Sequence, residues 1–536
     1  MGDLSGTGDN MFEGDRIFFD NLGRRFRILP PARLSEPPPN LRISRTSRPW
    51  KTYFNMLGTV LPAFFLMYTS LFLILGVVSL DPIMVLSSGL CSLPLILGIF
   101  RLHRPKLVHV RLAVPDTGGS GTHALPEGGS LRTPVKTTFS RFLLKDDSIL
   151  ETPPSKQLWS IFALILLAGI SIAVLFYQSS SGWQIAGITL FLLFAIPLWL
   201  VGFSLPVLAW WGTSTSQLGL PTRRRDAEAW LMAGMASAFP AFIINSLLAP
   251  ELIPSSFPAW AGDLSLLAIG APVCEEISKA LAVALFLPAI KGPKQGFQVG
   301  FTVGLGFALI ENFQYIGLSL IGGPVSVTMT ILIRGIGSIP GHAIWTAISG
   351  TAIGWMATDK EFKAKLEWRA KNIAISAIDM AESLGLDTDG DGDLSGFDGS
   401  RQTLEEAIES ATLDSDKSTD SWILNSNPSE KSNPTPPKPI EIAGYSLTYS
   451  KNPEIRKLRG LSTPRNVSSA LAIAIMGHSF WNGSSFLVGM VTSEEAGMSE
   501  GTGTLLMLGW IVILIAVVIS VARGLLRGMA TLESDF

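Results

Sequence analysis

Apolar and polar residues follow one another along this chain in long blocks. Ten apolar runs are each close to the roughly 20 residues that a helix needs to cross a hydrocarbon core. They lie near residues 53–78, 83–100, 158–177, 183–210, 229–249, 264–290, 296–316, 325–356, 468–490 and 503–522. The eighth contains Pro340, where we expect the helix to break, because proline removes a helix hydrogen bond. The pattern predicts an all-α polytopic membrane bundle of about ten transmembrane helices.

Three polar segments interrupt or flank these runs. Residues 1–50 are basic, and residues 101–157 are rich in Gly, Pro and Thr, which predicts an irregular loop. The third, 357–465, is a large insert that is partly disordered by this interpretation. It begins with an amphipathic helical pattern, Glu361–Gly385, and the Pro-rich stretch Ser426–Pro439 near its end is typical of a disordered linker.

The positive charges predict the orientation of the helices, because Lys and Arg are retained in cytoplasmic loops. With a cytoplasmic N-terminus, the five outside loops contain no Lys or Arg. Of the 41 basic residues, 39 fall on the inside, and only Lys279 and Arg334 lie within runs. We therefore expect a multi-pass protein of the cell membrane with both termini in the cytoplasm.

This organisation predicts five parts. They are a cytosolic segment 1–50, four transmembrane helices in 51–210, a core in 225–356, the cytosolic insert 357–465 and two last transmembrane helices in 466–536.

Composition agrees with a membrane protein. The apolar fraction is 47% and the charged fraction 16%, below the roughly 25% of soluble domains, and the mean hydropathy is +0.37. A net charge of −2 argues against a nucleic-acid partner. Cys91 and Cys274 are the two cysteines, and both lie in apolar runs, which argues against a disulfide framework.

Ionisable residues in the middle of four apolar runs are the main functional signal. Each costs roughly 2.5–3.5 kcal/mol at the centre of a membrane helix, so such residues usually face the bundle interior. With their polar neighbours, they are Glu275, Glu276 and Lys279 on the sixth run, Glu311 and Asn312 on the seventh, Arg334, His342 and Thr346 on the eighth, and His478 and Asn482 on the ninth. They share one depth, and Gly300, Gly304 and Gly306 allow helices to approach closely.

Carboxylates, imidazoles and an amide in one cavity suit amide hydrolysis. A carboxylate can take a proton from water, a histidine can move it to the leaving amine, and an asparagine can donate to the oxyanion. Two histidines and a glutamate are also a sufficient set for Zn²⁺, but the HExxH signature is absent. A structural interpretation stays open for Lys279, Arg334 and Glu311, which can serve as ion-pair partners.

Four short motifs resemble those of the PrsW family of intramembrane proteases, in the wider superfamily of CAAX prenyl endopeptidases and bacteriocin-processing enzymes. They are EExxK (Glu275–Lys279), FxxxEN (Phe307–Asn312), HAIWT (His342–Thr346) and HSFWN (His478–Asn482). The resemblance implies proteolysis of a membrane-anchored protein in the bilayer.

The resemblance also implies roles for single residues. Glu275 and Glu276 would activate water, His342 and His478 would assist, and Asn482 would donate to the oxyanion. Family members are often called metalloproteases, whereas the related prenyl endopeptidases look like glutamate-dependent hydrolases. We favour the glutamate mechanism over Zn²⁺.

A second motif lies in the insert and fits an EF-hand-like calcium loop. Acidic residues recur at alternate positions before and after Gly392, and the twelfth position is Asp where Glu is usual. The predicted Ca²⁺ ligands are Asp387, Asp389, Asp391, Asp393, Ser395 and Asp398. The sequence shows no second loop to pair with it.

Two other functions remain open at this point. An ion- or proton-coupled transporter or channel also carries Glu, His and Arg in its spans. It would string them along the membrane normal, whereas here they lie at one depth. A membrane scaffold gated by Ca²⁺ would leave the buried carboxylates unexplained.

Overall fold

The computed structural model describes residues 17–19, 25–27, 48–104, 107–124, 130–178, 180–385, 441–442, 445–446, 460–493 and 497–532. The predicted calcium loop, Asp387–Asp398, and the predicted linker, Ser426–Pro439, lie outside these residues.

Helices dominate the described residues, and the predicted all-α bundle is confirmed. In chain order they are α1 (Pro49–Val78), α2 (Pro82–His103), α3 (Ser155–Phe176), α4 (Ser181–Leu218), α5 (Arg224–Ile243), α6 (Ala259–Ser265), α7 (Ala271–Ala284), α8 (Pro293–Ser319), α9 (Gly323–Ile333), α10 (Ile339–Ala357), α11 (Lys360–Ser383), α12 (Val467–Val491) and α13 (Glu500–Ala530). Each of the ten apolar runs lies in one of these helices or in a consecutive pair. The amphipathic pattern at Glu361–Gly385 forms α11.

Seven stretches of the described residues are long and apolar enough to cross a membrane, by length and composition alone. One of them, Pro293–Ala357, contains the seventh and eighth runs together. The helices of the sixth and ninth runs are not among the seven. Their middle turns carry the charged and polar motif residues, which lower the mean hydropathy.

Three membrane helices contain a π-helical turn, in which the hydrogen bonds span one residue more than in an α-helix. These turns are Ile244–Leu248 after α5, Leu266–Gly270 between α6 and α7, and Arg334–Ser338 between α9 and α10. The predicted break at Pro340 is not found, because the helical conformation continues from α9 through the third π-helical turn into α10, and Pro340 lies in the first turn of α10 directly after it. Two of the three turns immediately precede helices that carry motif residues.

Glycines allow α8 to pack closely against α10. A Cβ added at Gly304 would lie 2.4 Å from the His342 carbonyl oxygen, and one at Gly300 would lie 2.5 Å from the Thr346 carbonyl oxygen. Both distances are shorter than van der Waals contact, so a side chain there would force the helices apart. The prediction that small residues permit close approach is confirmed at these positions.

The chain divides into two compact units. The first comprises residues 1–49, 100–151 and 223–225, and the second comprises residues 50–99, 152–222 and 226–536. The ten ionisable and polar residues named above in the sixth to ninth apolar runs all belong to the second unit.

In the first unit, the prediction of an irregular loop at 101–157 is wrong. Residues Leu107–Ala124 (β3) and Ser130–Lys145 (β4) form a long antiparallel hairpin, with an irregularity between Pro115 and Ser120. The cause is the alternation of Val and Leu with polar residues in β3 and the Thr- and Phe-rich sequence of β4, which favour strands more than the glycines oppose them.

Two short antiparallel strand pairs are also described. Ile17–Phe19 (β1) pairs with Arg25–Arg27 (β2), and Glu441–Ile442 (β5) in the second unit pairs with Tyr445–Ser446 (β6).

Gly304→Ala tests the close packing of α8 on α10. We expect it to lower the free energy of unfolding by about 1–3 kcal/mol, because the added methyl group overlaps the backbone of α10. Thermal unfolding in detergent micelles measures the change. The control is Gly509→Ala on α13, where an added Cβ meets nothing within 4 Å. Equal stability of the two variants would contradict the packing.

Candidate active site

The two adjacent carboxylates lie near the start of α7. This helix continues directly from the π-helical turn Leu266–Gly270, and Pro272, which has no backbone N–H, is its second residue. Glu275 and Glu276 are both buried. Because a buried carboxylate is costly without a partner, the neighbouring helices must supply positive charge and hydrogen bonds.

Lys279 supplies the nearest positive charge, one turn further along α7. Its side chain is fully buried, at 0% exposure. Its Nζ lies 2.6 Å from Glu276 Oε1 and 3.6 Å from Glu275 Oε2. It also lies 3.1 Å from Nδ1 of His342 on α10. One ammonium group therefore contacts both carboxylates and joins α7 to α10.

A second group of charges joins α8 to α10 and to the π-helical turn before it. Glu311 Oε2 lies 2.9 Å from Arg334 Nη2 and 2.6 Å from His342 Nε2. Arg334 Nε donates to Asn312 Oδ1. Because Nδ1 of His342 faces the Lys279 donor, it accepts, and the proton of the neutral ring is therefore on Nε2, the atom that lies against Glu311 Oε2.

His478 on α12 completes the cluster. Its Nδ1 lies 3.0 Å from Glu276 Oε1, and its Nε2 lies 3.8 Å from Glu275 Oε2. Since a carboxylate only accepts, Nδ1 donates to Glu276 and Nε2 keeps a free lone pair. The rings of His342 and His478 are 5.0 Å apart at 87°. Four helices, α7, α8, α10 and α12, thus bring their motif residues together.

Two aromatic rings support the cations, and the sequence analysis assigned a role to neither. Lys279 Nζ lies 4.1 Å from the centre of the Phe307 ring, and the Arg334 guanidinium lies 4.1 Å from that of Tyr315. Such contacts stabilise a cation most where water is excluded. Phe307 is the first residue of the FxxxEN motif, so its membership of the motif indicated that it belongs to the site. Tyr315 follows Glu311 by one helical turn, on the same face of α8.

Thr346 and Asn482 lie at the edge of the cluster. Thr346 is buried one turn after His342, and its Oγ1 has no hydrogen-bond partner. Asn482 donates through Nδ2 to the carbonyl oxygen of Leu267, 3.2 Å away, in the π-helical turn before α7. The structure therefore brings eight of the ten predicted membrane residues into direct contact and places Asn482 against the backbone that leads to Glu275.

The charges of the cluster do not cancel completely. Glu275, Glu276 and Glu311 face only two permanent cations, Lys279 and Arg334. A buried site with one uncompensated negative charge favours the uptake of one further positive charge, either a proton or a metal ion. Within the described residues, Glu275, His342 and His478 form a group whose potential ligand atoms all lie within 4.8 Å of one another, as a metal site requires.

These features define a polar catalytic-type site enclosed by membrane helices. Residues 227–378 match the family model described as PrsW family intramembrane metalloprotease. The resemblance predicted from the motifs is therefore confirmed for this part of the chain, and the match supports intramembrane proteolysis by a multi-pass membrane protein. It covers the first three motifs, whereas HSFWN (His478–Asn482) lies beyond it. No curated protein and no solved structure matches the chain.

A double-mutant cycle tests the ion pair between Glu311 and Arg334. We expect Arg334→Gln and Glu311→Gln each to lower the free energy of unfolding by about 2 kcal/mol. This is less than the roughly 3–5 kcal/mol for fully buried pairs, because the two side chains are 17% and 21% exposed. The double variant should lose about as much as either single variant, since each change already removes the pair.

Denaturant unfolding in micelles measures the cycle, with Arg527→Gln at an exposed position of α13 as the control. Strict additivity of the two single changes would show that the pair contributes nothing.

Proposed function

We propose that the protein is an intramembrane endopeptidase that hydrolyses peptide bonds of membrane-anchored proteins with water activated by Glu275 and His478. The observation that carries this proposal is the pair of acceptors, Glu275 Oε2 and His478 Nε2, which lie 3.8 Å apart. Neither atom is used in a hydrogen bond among the described residues, and a single water molecule can donate one hydrogen to each.

The proposed reaction begins with this water molecule. Its oxygen attacks the carbonyl carbon of the peptide bond while one of its protons passes to Glu275. Glu276 accepts from His478 Nδ1, which fixes the ring so that Nε2 faces the water. The carbon–nitrogen bond then breaks, and the proton held by Glu275 passes to the leaving amine. Glu275 returns to its starting state, so protons and bonds balance over one turnover.

Asn482 is the proposed oxyanion donor. One hydrogen of its amide is donated to the Leu267 carbonyl oxygen, and the second hydrogen of Nδ2 remains for the substrate. The contact with Leu267 holds the amide in one orientation before the substrate arrives. Such preorganisation is the main source of oxyanion stabilisation.

A metal ion does not fit this arrangement of residues. A zinc ligand nitrogen needs its lone pair directed at the metal at roughly 2.0–2.1 Å. Nδ1 of His342 directs its lone pair at Lys279 Nζ, 3.1 Å away, so a zinc ion on that line would lie about 1 Å from the ammonium nitrogen. Nε2 of His342 is occupied by Glu311 at 2.6 Å. Of the three residues whose potential ligand atoms lie within 4.8 Å of one another, only Glu275 and His478 then remain, fewer than the three protein ligands of a catalytic zinc site.

The buried ammonium of Lys279 therefore takes the position and the charge that a metal would have. It contacts both carboxylates of the EExxK motif and one histidine. This favours the glutamate mechanism over the metal-dependent one suggested by the family description. A transporter needs ionisable groups spread along a path, and the convergence of these groups in one cluster argues against it.

We also propose a membrane topology, a Ca²⁺ site and a division into domains on the basis of the sequence alone. Both termini and the insert lie in the cytoplasm of a cell-membrane protein, as the positive charges indicate. The loop Asp387–Asp398 binds Ca²⁺ and modulates the activity through the insert. The protein is divided into the five parts given above, with the catalytic core at 225–356 and the fourth motif in 466–536.

The catalytic assignment predicts that Glu275→Gln, Glu276→Gln and His478→Ala each lower cleavage at least 100-fold, about the size of a general acid–base contribution. Glu275→Gln removes the base, Glu276→Gln removes the carboxylate that orients the His478 ring, and His478→Ala removes the second acceptor for the water molecule. The substrate is a reporter with one transmembrane helix, reconstituted with the protein in liposomes and followed by gel mobility. Glu251→Gln, in an exposed turn after α5, is the matched control.

Thermal unfolding of each variant shows whether it remains folded. Cleavage retained by all three folded variants would refute the assignment.

The metal argument predicts that the purified wild type contains little zinc by mass spectrometry and keeps its activity after dialysis against a chelator. Lys279→Met should bind zinc in an equimolar amount, because it frees Nδ1 of His342 and leaves the negative charge uncompensated. Lys279→Arg keeps the positive charge and should bind none. Equimolar zinc in the wild type, lost on His342→Ala, would overturn the argument.

A further inference from the structure

An apolar cavity of about 410 Å³ lies beside α8, and none of its lining residues belongs to the catalytic cluster. Its volume is within the roughly 300–1,000 Å³ of small-molecule sites. Its walls come from α1, α2, α5 and α8. The residues used below are Ala63 and Met67 on α1, Met232, Met235 and Ala236 on α5, and Ile310 on α8.

Large aromatic side chains hold the walls of this cavity apart. The Phe64 ring on α1 lies 4.4 Å from the Phe313 ring on α8, and the Tyr68 ring lies 5.3 Å from the Phe242 ring on α5. These contacts join α1 to its neighbours through long side chains. Between them the cavity is lined mainly by methionine, leucine, isoleucine and alanine side chains, with Phe239 as the one aromatic residue of the lining.

The cavity offers water only the acceptor lone pairs of two hydroxyl groups, which lie 11 residues and therefore about 16 Å apart along α1, too far for one water molecule to use both. Two hydroxyl groups lie in its wall, and both donate to their own helix: Thr59 Oγ1 to the Asn55 carbonyl and Ser70 Oγ to the Leu66 carbonyl, each at 2.8 Å. A buried water molecule needs two to four polar partners, so water is not a stable occupant. A void of this size without an occupant is also unfavourable, since its lining loses van der Waals contacts.

We propose that the cavity binds one acyl chain of a bilayer phospholipid. The cavity residues of α1 run from Thr59 to Ser70, in the middle of a helix that spans Pro49–Val78. At this depth the surrounding solvent is hydrocarbon, and a hydrocarbon chain matches walls of methionine, leucine, isoleucine and alanine. Methionine side chains adapt their shape to such a ligand.

The bound chain packs against a functionally important turn of α8. Ile310 faces the cavity, and the next residue, Glu311, contacts Arg334 and His342. The lipid therefore supports the backbone that carries Glu311 without contacting the catalytic cluster. The binding site does not depend on the proposed peptidase activity.

Photolabelling tests the site on the full chain in liposomes of dioleoylphosphatidylcholine. The probe is a phosphatidylcholine whose acyl chain carries a diazirine, and labelled positions are mapped by peptide mass spectrometry. We expect label on Met235, which lines the cavity and is buried at 6% exposure, as well as on outward residues such as Phe65. Ala63→Phe fills the cavity and should abolish the label on Met235 while leaving that on Phe65.

Leu61→Phe, on the lipid-facing side of α1, is the matched control and should change neither label. If Ala63→Phe does not fold, Ala236→Leu fills the same space from α5. An unlabelled Met235 in the wild type, or a label on it that survives both filling variants, would overturn the proposal. Displacement of the probe by oleic acid but not by excess phosphatidylcholine would also overturn it, because the ligand would then be a free fatty acid.

Discussion

The structure depends on compensating three carboxylates within a bundle of apolar helices. Removing an ion from water costs several kcal/mol unless close partners replace its hydration. Lys279 and Arg334 provide that compensation, and each contacts residues on other helices, so charge balance and helix packing are the same interaction. Because Lys279 reaches His342 and Arg334 reaches Glu311 only when α7, α8 and α10 are together, these contacts specify the arrangement of the bundle as well as stabilise it.

The glycines of α8 make this arrangement physically accessible. With Gly300 and Gly304 against the backbone of α10, the two helices are close enough for Glu311 to reach His342 directly. A wider separation would require water or longer side chains between them. Gly300 and Gly304 precede the FxxxEN motif on the same helix, and their contribution is the short distance between α8 and α10.

The sequence predicted the features that depend on the local pattern of apolar residues and on the free-energy cost of charges in hydrocarbon. Apolar runs predicted the helices, and the cost of charges in hydrocarbon predicted which residues converge, including Glu275 and His478. It did not predict the β-hairpin at 107–145, because the glycines after Asp116 disfavour strands and interrupt the alternating residues on either side. The sequence also did not predict which residues of the cluster form hydrogen bonds with one another. That Lys279 contacts His342, or that Asn482 binds Leu267, depends on helix rotation, which periodicity alone does not fix.

The π-helical turns before α7 and α10 have a consequence for how such a site tolerates length changes. A π-helical turn is an α-helix with one residue inserted, and one residue corresponds to about 100° of helix rotation. Deleting a single residue from Leu266–Gly270 would convert the turn to α-helix and rotate Glu276 and Lys279 away from their partners, His478 on α12 and His342 on α10. The carboxylates owe their direction to a one-residue irregularity upstream, so the spacing ahead of the motif is as constrained as the motif itself.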